Sequence, residues 1–300
     1  MRRMKIHWFL ILGMVMAFAP LRAQNDLLEM LDSAIKPVRI PVDATFKSTR
    51  VINCHSIERM RAGDLELHVA HRFGLMNSGF KKFFGLDESS SHVSLEYGIT
   101  NWMEVGLGSA TVDEQFNGFV KFSPIRQMKG KWALPVSASL YLAAITTTKD
   151  YPDPTWVVDA VHRRSFVAQL LVARKFAPWL SIQLSPTFVH RNMVATPLDP
   201  NRIFAMGVGG RMKFSKRAAI SCEYFWLKDR NQLTGPKRYN PLSIGLDIET
   251  GSHVFQVFVS NSFQILENGF IGETTGSWKT NGLHVGFNIS RVFTVIRKKK

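Results

Sequence analysis

Apolar side chains occupy every second position in most of twelve stretches that follow residue 63. In one of them Val93, Leu95 and Tyr97 alternate with Ser94 and Glu96. A period of two is typical of a β-strand with one apolar and one polar face. The pattern predicts an all-β protein of about twelve antiparallel strands. The windows are residues 64–73, 91–99, 102–109, 115–122, 134–145, 165–174, 180–189, 203–213, 218–226, 241–249, 253–261 and 281–293.

The polar positions of these strands combine small residues with charges of both signs. That mixture is typical of the lumen of a transmembrane β-barrel, whose apolar side chains face lipid. The window 165–174 has apolar residues on both parities, so its facing stays open. The predicted lumen-facing residues are Glu66, Arg72, Glu96, Glu104, Lys121, Arg211, Glu223 and Asp247.

The connections between the windows alternate in length over most of the chain, although the link 123–133 breaks the alternation. Short periplasmic turns and longer outer loops are expected of such barrels. Trp102 and Trp179 lie beside short links, and Phe293 ends the last window, so we predict them as interface aromatics. The short links are 100–101, 175–178, 214–217 and 250–252; the long ones are 74–90, 146–164, 190–202, 227–240 and 262–280.

The amino-terminal residues indicate export. Three basic residues precede the apolar stretch 8–19, which is too short to span a membrane as a helix, and small or short side chains precede residue 24. We predict a removable signal peptide over residues 1–23. Residues 24–63 do not alternate and are expected to form a periplasmic lead-in or a partial plug of the lumen. The barrel is predicted over 64–293, with a basic tail over 294–300.

Charge and motifs exclude several kinds of protein. The formal net charge of +15 is dispersed along the chain, which argues against a nucleic-acid partner. Cys54 and Cys222 lack metal-ligand spacing, and whether they pair stays open. No two of His55, His71, His190 and His253 have the spacing of a ligand pair, so we predict neither a metal nor a cofactor.

The segments FKSTRVINCHS, LELHVAHRFG, SLEYGITNWMEVGLG, LSPTFVHRNMVAT, GVGGRMKFSKR, LDIETGSHVFQVFVSNS and HVGFNISRVF carry a resemblance. In order and spacing they resemble a family of membrane-bound β-barrel proteins of unknown function. The resemblance runs through nearly the whole predicted mature chain. It implies a barrel and a membrane location, and it implies no reaction.

Together these features predict a non-enzymatic barrel of the bacterial outer membrane, acting as a small pore or as a structural or docking component. Its expected partners are outer-membrane lipid and, in the docking case, periplasmic or envelope proteins. The alternative is an exported soluble barrel that binds an apolar ligand, which would turn Val93, Leu95 and Tyr97 inward. A less favoured alternative is a lipid-cleaving barrel enzyme using His71, for which the sequence offers no nucleophile motif and no assignable catalytic residue.

Overall fold

The computed structural model describes residues 39–296, apart from 131–132, 151–157, 195–198, 229–236 and 281. The predicted signal peptide, the first part of the predicted lead-in and the last four residues of the basic tail therefore lie outside the described residues.

Twelve strands form one closed antiparallel barrel in which each strand pairs with the next along the chain and the last pairs with the first. Closure leaves no strand edge unpaired. The predicted fold class is confirmed. The strands are β1 (Asp64–Leu75), β2 (Ser89–Gly98), β3 (Met103–Ala110), β4 (Gln115–Ile125), β5 (Ser137–Thr147), β6 (Arg164–Ala177), β7 (Leu180–Arg191), β8 (Arg202–Lys213), β9 (Ala218–Leu227), β10 (Leu242–Thr250), β11 (His253–Ser260) and β12 (His284–Thr294).

Alternate residues of these strands face opposite sides of the barrel wall. In β2, Leu95 is 51% exposed and its neighbour Glu96 is fully buried. Val93 is also exposed, so the large apolar side chains point away from the lumen. This orientation is the one a lipid-facing wall requires, and it is opposite to the orientation of a soluble barrel with an apolar interior.

Strand β6 departs from this rule because its inner face is partly apolar. Val167 and Leu171 are buried on the same side as Gln169, whereas Phe166 and Leu170 are exposed on the outside. The buried pair belongs to an apolar cluster with Phe270, which lies on helix α1 (Glu267–Gly272). Since α1 lies within the loop between β11 and β12, that loop folds into the barrel and covers this part of the wall.

The connections differ in length at the two ends of the barrel. Links of two to four residues join β2 to β3, β6 to β7, β8 to β9 and β10 to β11 at the end where β1 begins. The opposite end carries the long loops, with one exception at 111–114, where a single 3₁₀ turn (Val112–Glu114) joins β3 to β4. In the described part of the chain, no helix is long and apolar enough to cross a membrane.

Candidate functional site

Most of residues 45–62 are buried inside the barrel, and we call this segment the plug. Its centre is a tight turn in which the Val51 amide donates to the Cys54 carbonyl oxygen over 2.8 Å. The Ser56 amide donates to the Thr49 carbonyl oxygen over the same distance, which closes a short hairpin. The sequence left two placements open for residues 24–63, of which residues 24–38 lie outside the described residues.

The turn of the plug wraps around one carboxylate of the wall, that of Glu223 on β9. Oε2 accepts the backbone amides of Ile52 (3.2 Å) and Cys54 (3.1 Å). Oε1 accepts the backbone amide of Asn53 (3.0 Å) and its side-chain Nδ2 (2.6 Å). Successive backbone amides that converge on one anion form a nest, and hydrogen bonds to a charged acceptor are the stronger kind. Glu223 therefore fixes the position of the turn.

A buried ion pair joins the plug to the opposite side of the wall. Arg50 donates from both terminal nitrogens to the two carboxylate oxygens of Glu96, at 2.7 and 3.3 Å. Its Nη1 also lies 2.8 Å from His55 Nδ1. Burial, reinforced by the Arg50 charge, holds the pKa of His55 well below its usual range, so the neutral ring accepts this hydrogen bond. Breaking the pair would leave an uncompensated buried charge.

Amide and guanidinium side chains of the wall donate hydrogen bonds to four further oxygen atoms of the plug. Each donates to one oxygen of the hairpin, and the donors come from four different strands. Because the bonds reach the hairpin from several directions, they favour one docked position. They run from Gln183 Nε2 to the His55 carbonyl (2.8 Å), from Gln256 Nε2 to that of Val51 (2.7 Å), from Asn288 Nδ2 to that of Ile52 (2.8 Å), and from Arg72 Nη2 to Asn53 Oδ1 (2.6 Å).

The end of the plug that leads into β1 is held by a second charged pair. Lys121 and Glu104 lie 3.5 Å apart, and both side chains are fully buried. Lys121 Nζ also donates to the Glu58 carbonyl oxygen (2.6 Å), and Glu104 Oε2 accepts the Met60 amide (3.0 Å). Each wall charge thus bonds both to its neighbour on the wall and to the plug.

The structure places all eight predicted lumen-facing residues inside the barrel, none of them more than 5% exposed. Glu66 accepts from Thr49 Oγ1 of the plug (3.1 Å), so six of the eight contact the plug directly. The other two, Arg211 and Asp247, pair with each other at 3.1 Å. The alternation of the strands predicted these wall residues, whereas no local feature of the sequence predicted their partners in the plug.

The loop between β11 and β12 fills the lumen from the end with the long loops, and no motif within the loop itself predicts this insertion. Phe270 and Ile271 of α1 are fully buried, and the Phe270 ring lies edge-on 5.4 Å from that of Phe225. Glu267 begins the helix, and burial raises its pKa. The mixed parity of β6 was the one available sign of an apolar partner inside the barrel.

A cavity of about 10 Å³ lies between the plug and the inserted loop. That is room for about one water molecule. The described residues therefore fill the lumen closely at this level. Among those that line the cavity are Arg50, His55, His68, Arg72, Tyr141 and Glu267.

The predicted interface aromatics lie on the outer surface at the end with the short links. Trp102 and Trp179 are half exposed, and Phe293 is 38% exposed near the end of β12. The cysteines are both free, with Cys54 in the lumen and Cys222 at an outward position of β9, so the wall separates them. Across the described ranges, no group of three or more His, Cys, Asp or Glu side chains could hold a metal ion.

Comparison with known families places this barrel. The family model described as "Membrane bound beta barrel domain (DUF5777)" matches residues 46–293. The chain belongs to this family. The match begins inside the plug and ends in β12, so the DUF5777 domain includes most of the plug together with the barrel. The family resemblance deduced from the sequence is confirmed.

Several solved structures are similar to this DUF5777 barrel. The KdgM porin has 10% identity and a TM-score of 0.46, covering 76% of this chain and 99% of its own. An outer membrane channel from Pseudomonas putida F1 has 10% identity and a TM-score of 0.43, with coverages of 79% and 98%. Outer membrane phospholipase A from Escherichia coli has 11% identity and a TM-score of 0.43, with coverages of 83% and 95%. No curated protein matches the chain.

Proposed function

We propose that the protein is a non-enzymatic channel of the bacterial outer membrane, held closed by its own plug. The observation that supports this proposal is the set of bonds between plug and wall. The charged groups of the wall, above all Glu223 and Glu96, bind the plug and not mainly one another. The export signal predicted over residues 1–23 and the membrane-bound barrel family support the location.

A charged wall suits a passage that fills with water. If the barrel served only as a closed scaffold, an apolar filling would stabilise it at least as well, because buried ion pairs contribute little net stability. Once the plug is displaced together with the inserted loop that packs against it, the same carboxylates and guanidinium groups would be solvated, and the lumen would become a polar channel of the kind found in porins. The wall chemistry thus fits both a closed and an open state.

The plug can be reached from the end with the short links, which we assign to the periplasm. Residues 40–41 pair there with residues 128–129 in a two-stranded antiparallel sheet, just before the chain enters the lumen. The Val42 amide donates to the Gln127 carbonyl oxygen (2.8 Å). An envelope protein that binds the chain ahead of this sheet would be able to pull on the plug without entering the barrel.

Charge reversal across the Arg50–Glu96 pair tests the proposal in planar bilayers. Arg50→Glu places a third carboxylate beside Glu96 and Glu66, so we expect frequent channel openings where the wild type is mostly closed. Glu96→Arg should open the channel as well, since it faces Arg50. The double variant restores an opposite pair and should reduce the openings. If all three variants remain as silent as the wild type while still folded, the channel proposal is wrong and the protein is a closed scaffold.

A further inference from the structure

The loop between β1 and β2 carries an exposed aromatic and basic cluster at the end of the barrel with the long loops. Phe80, Phe83 and Phe84 are 77%, 64% and 58% exposed. Lys81 and Lys82 lie among them and are also exposed. We call residues 80–84 the aromatic-basic loop. Phenylalanine rings so open to solvent are costly in water but favourable at a membrane surface.

The backbone that carries two of these rings is in a strained conformation. Phe83 and Phe84 have φ angles of 47° and 54°, in the left-handed region that bulky residues rarely adopt. The next residue, Gly85, is buried against Gly74 and Leu75 of β1. The Gly74 amide donates to the Glu88 carbonyl oxygen (2.8 Å). The loop is thus folded back onto the end of β1, and its rings are presented at the rim.

Below this loop, the outer wall carries a polar pair. His71 of β1 and Ser91 of β2 both lie on the lipid-facing side, and His71 Nδ1 is 2.8 Å from Ser91 Oγ. The imidazole stacks on Phe287 (5.1 Å between centroids) and meets Phe73 edge-on (4.6 Å). Ionisable side chains inside the apolar zone are costly, and where they occur they usually have a functional partner.

The two lysines lie just beyond the end of β1, and the His71–Ser91 pair lies deeper in the apolar zone. The phosphate and the acyl linkages of a lipid follow one another in the same order. His71 lies four residues before the end of the strand, which is about 13 Å at ~3.3 Å per residue before allowing for tilt. Phe73 and Leu75 lie between it and the aromatic-basic loop. A lipid lying against this column would place its acyl linkages at the His71–Ser91 pair and its headgroup at the two lysines.

We propose that the aromatic-basic loop and the His71–Ser91 pair form a binding site for a phosphorylated lipid of the outer leaflet. The proposal rests on the outer-membrane location proposed above. Lys81 and Lys82 supply the positive charge for the phosphate, and the hydroxyl and imidazole supply hydrogen bonds to the oxygens of the acyl linkage. Two acidic residues, Asp87 and Glu88, share the loop, but the Glu88 carboxylate is turned towards Gly74 at the base of the loop.

Lipid binding to the purified, detergent-solubilised full chain tests the site by native mass spectrometry. The probes are lipid A and its dephosphorylated form. We expect Lys81→Ala together with Lys82→Ala to weaken lipid A binding about thirty-fold, which is about 2 kcal/mol. Dephosphorylated lipid A should bind the wild type about as weakly. The matched control is Lys216→Ala with Arg217→Ala, two exposed cations of the short β8–β9 link, and it should bind like the wild type.

The polar pair is tested with His71→Leu and Ser91→Ala, which should weaken binding of both lipid forms because they act on the acyl linkage. Unchanged binding in the double lysine variant, equal loss in the control, or release of lipid A by millimolar inorganic phosphate would overturn the proposal. Binding of phosphatidylglycerol in preference to lipid A would overturn the outer-leaflet assignment. None of these substitutions lies in the plug or contacts it. The conductance test of the channel proposal is therefore independent of the lipid-binding test.

Discussion

Glu223→Gln removes the charge around which the turn of the plug is built. The carboxylate accepts four hydrogen bonds, two at each oxygen, from Ile52, Asn53 and Cys54. The amide keeps one oxygen and turns an NH₂ group towards two backbone donors. Two bonds to a charged acceptor are lost, each contributing about 1.5–3 kcal/mol. Part of this loss is offset because the buried charge no longer has to be desolvated. We therefore expect docking of the plug to weaken by about 3 kcal/mol, which is about a hundredfold in its undocked population.

Single-channel recording in planar bilayers measures this change as open probability. Glu223→Gln should open about a hundred times more often than the wild type, while the barrel keeps its resistance to unfolding by detergent and heat. Asp247→Asn is the matched control, because Asp247 bonds to Arg211, Ser221 and Gln256 of the wall. Among the described residues it is linked to the plug indirectly, through Gln256, whose Nε2 also donates to the Val51 carbonyl oxygen. An open probability equal to that of the wild type would refute the assigned role of Glu223. Equal opening in the control would show that any lost lumen carboxylate opens the barrel.

The inserted loop and the facing of the strands give two further predictions. Phe270→Ala removes a fully buried ring and should destabilise the insertion of α1 by about 3–5 kcal/mol. Limited proteolysis should then cleave within 261–283 much faster than in the wild type, and unchanged cleavage would contradict the packing described. In a chain lacking the native thiols, Leu95→Cys should react with a membrane-partitioning maleimide, while the adjacent inward Ser94→Cys should not. Faster labelling at residue 94 would reverse the facing of β2.

The strands could be predicted because their alternate residues face two different environments, an apolar one outside the barrel wall and a polar one inside it. Leu95 and Glu96 are neighbours in sequence and face opposite sides, as the period of two requires. The same logic predicted carboxylates that face the lumen. It left the facing of β6 open, because Val167 and Leu171 face an apolar environment that the inserted loop creates inside the barrel, which alternation alone cannot represent.

The contacts of the plug were beyond prediction for a different reason. Asn53 and Glu223 are 170 positions apart, and nothing in either local sequence indicates the other. The nest around Glu223 consists largely of backbone amides, which every residue except proline offers. The helix α1 is only six residues long, which is too short for its hydrophobic pattern to predict a helix. The contacts of the plug and of the inserted loop join residues that come together only when the strands close into a barrel.

Tethering the plug to the wall tests whether displacement of the plug opens the lumen. A Cβ atom placed at Gly209 of β8 would lie 3.7 Å from Val51 Cβ of the plug. The mean Cβ separation in disulfides is about 3.8 Å. The tether is Val51→Cys with Gly209→Cys, in a chain carrying Cys54→Ser, Cys222→Ser and the opening substitution Glu223→Gln. The single Val51→Cys chain is the control.

We predict that the oxidised, tethered chain shows no openings and that reduction restores the open probability of the Glu223→Gln chain, while the control is insensitive to oxidant. Openings that persist when mass spectrometry shows the disulfide to be fully formed would mean that ions cross the barrel without displacement of the plug.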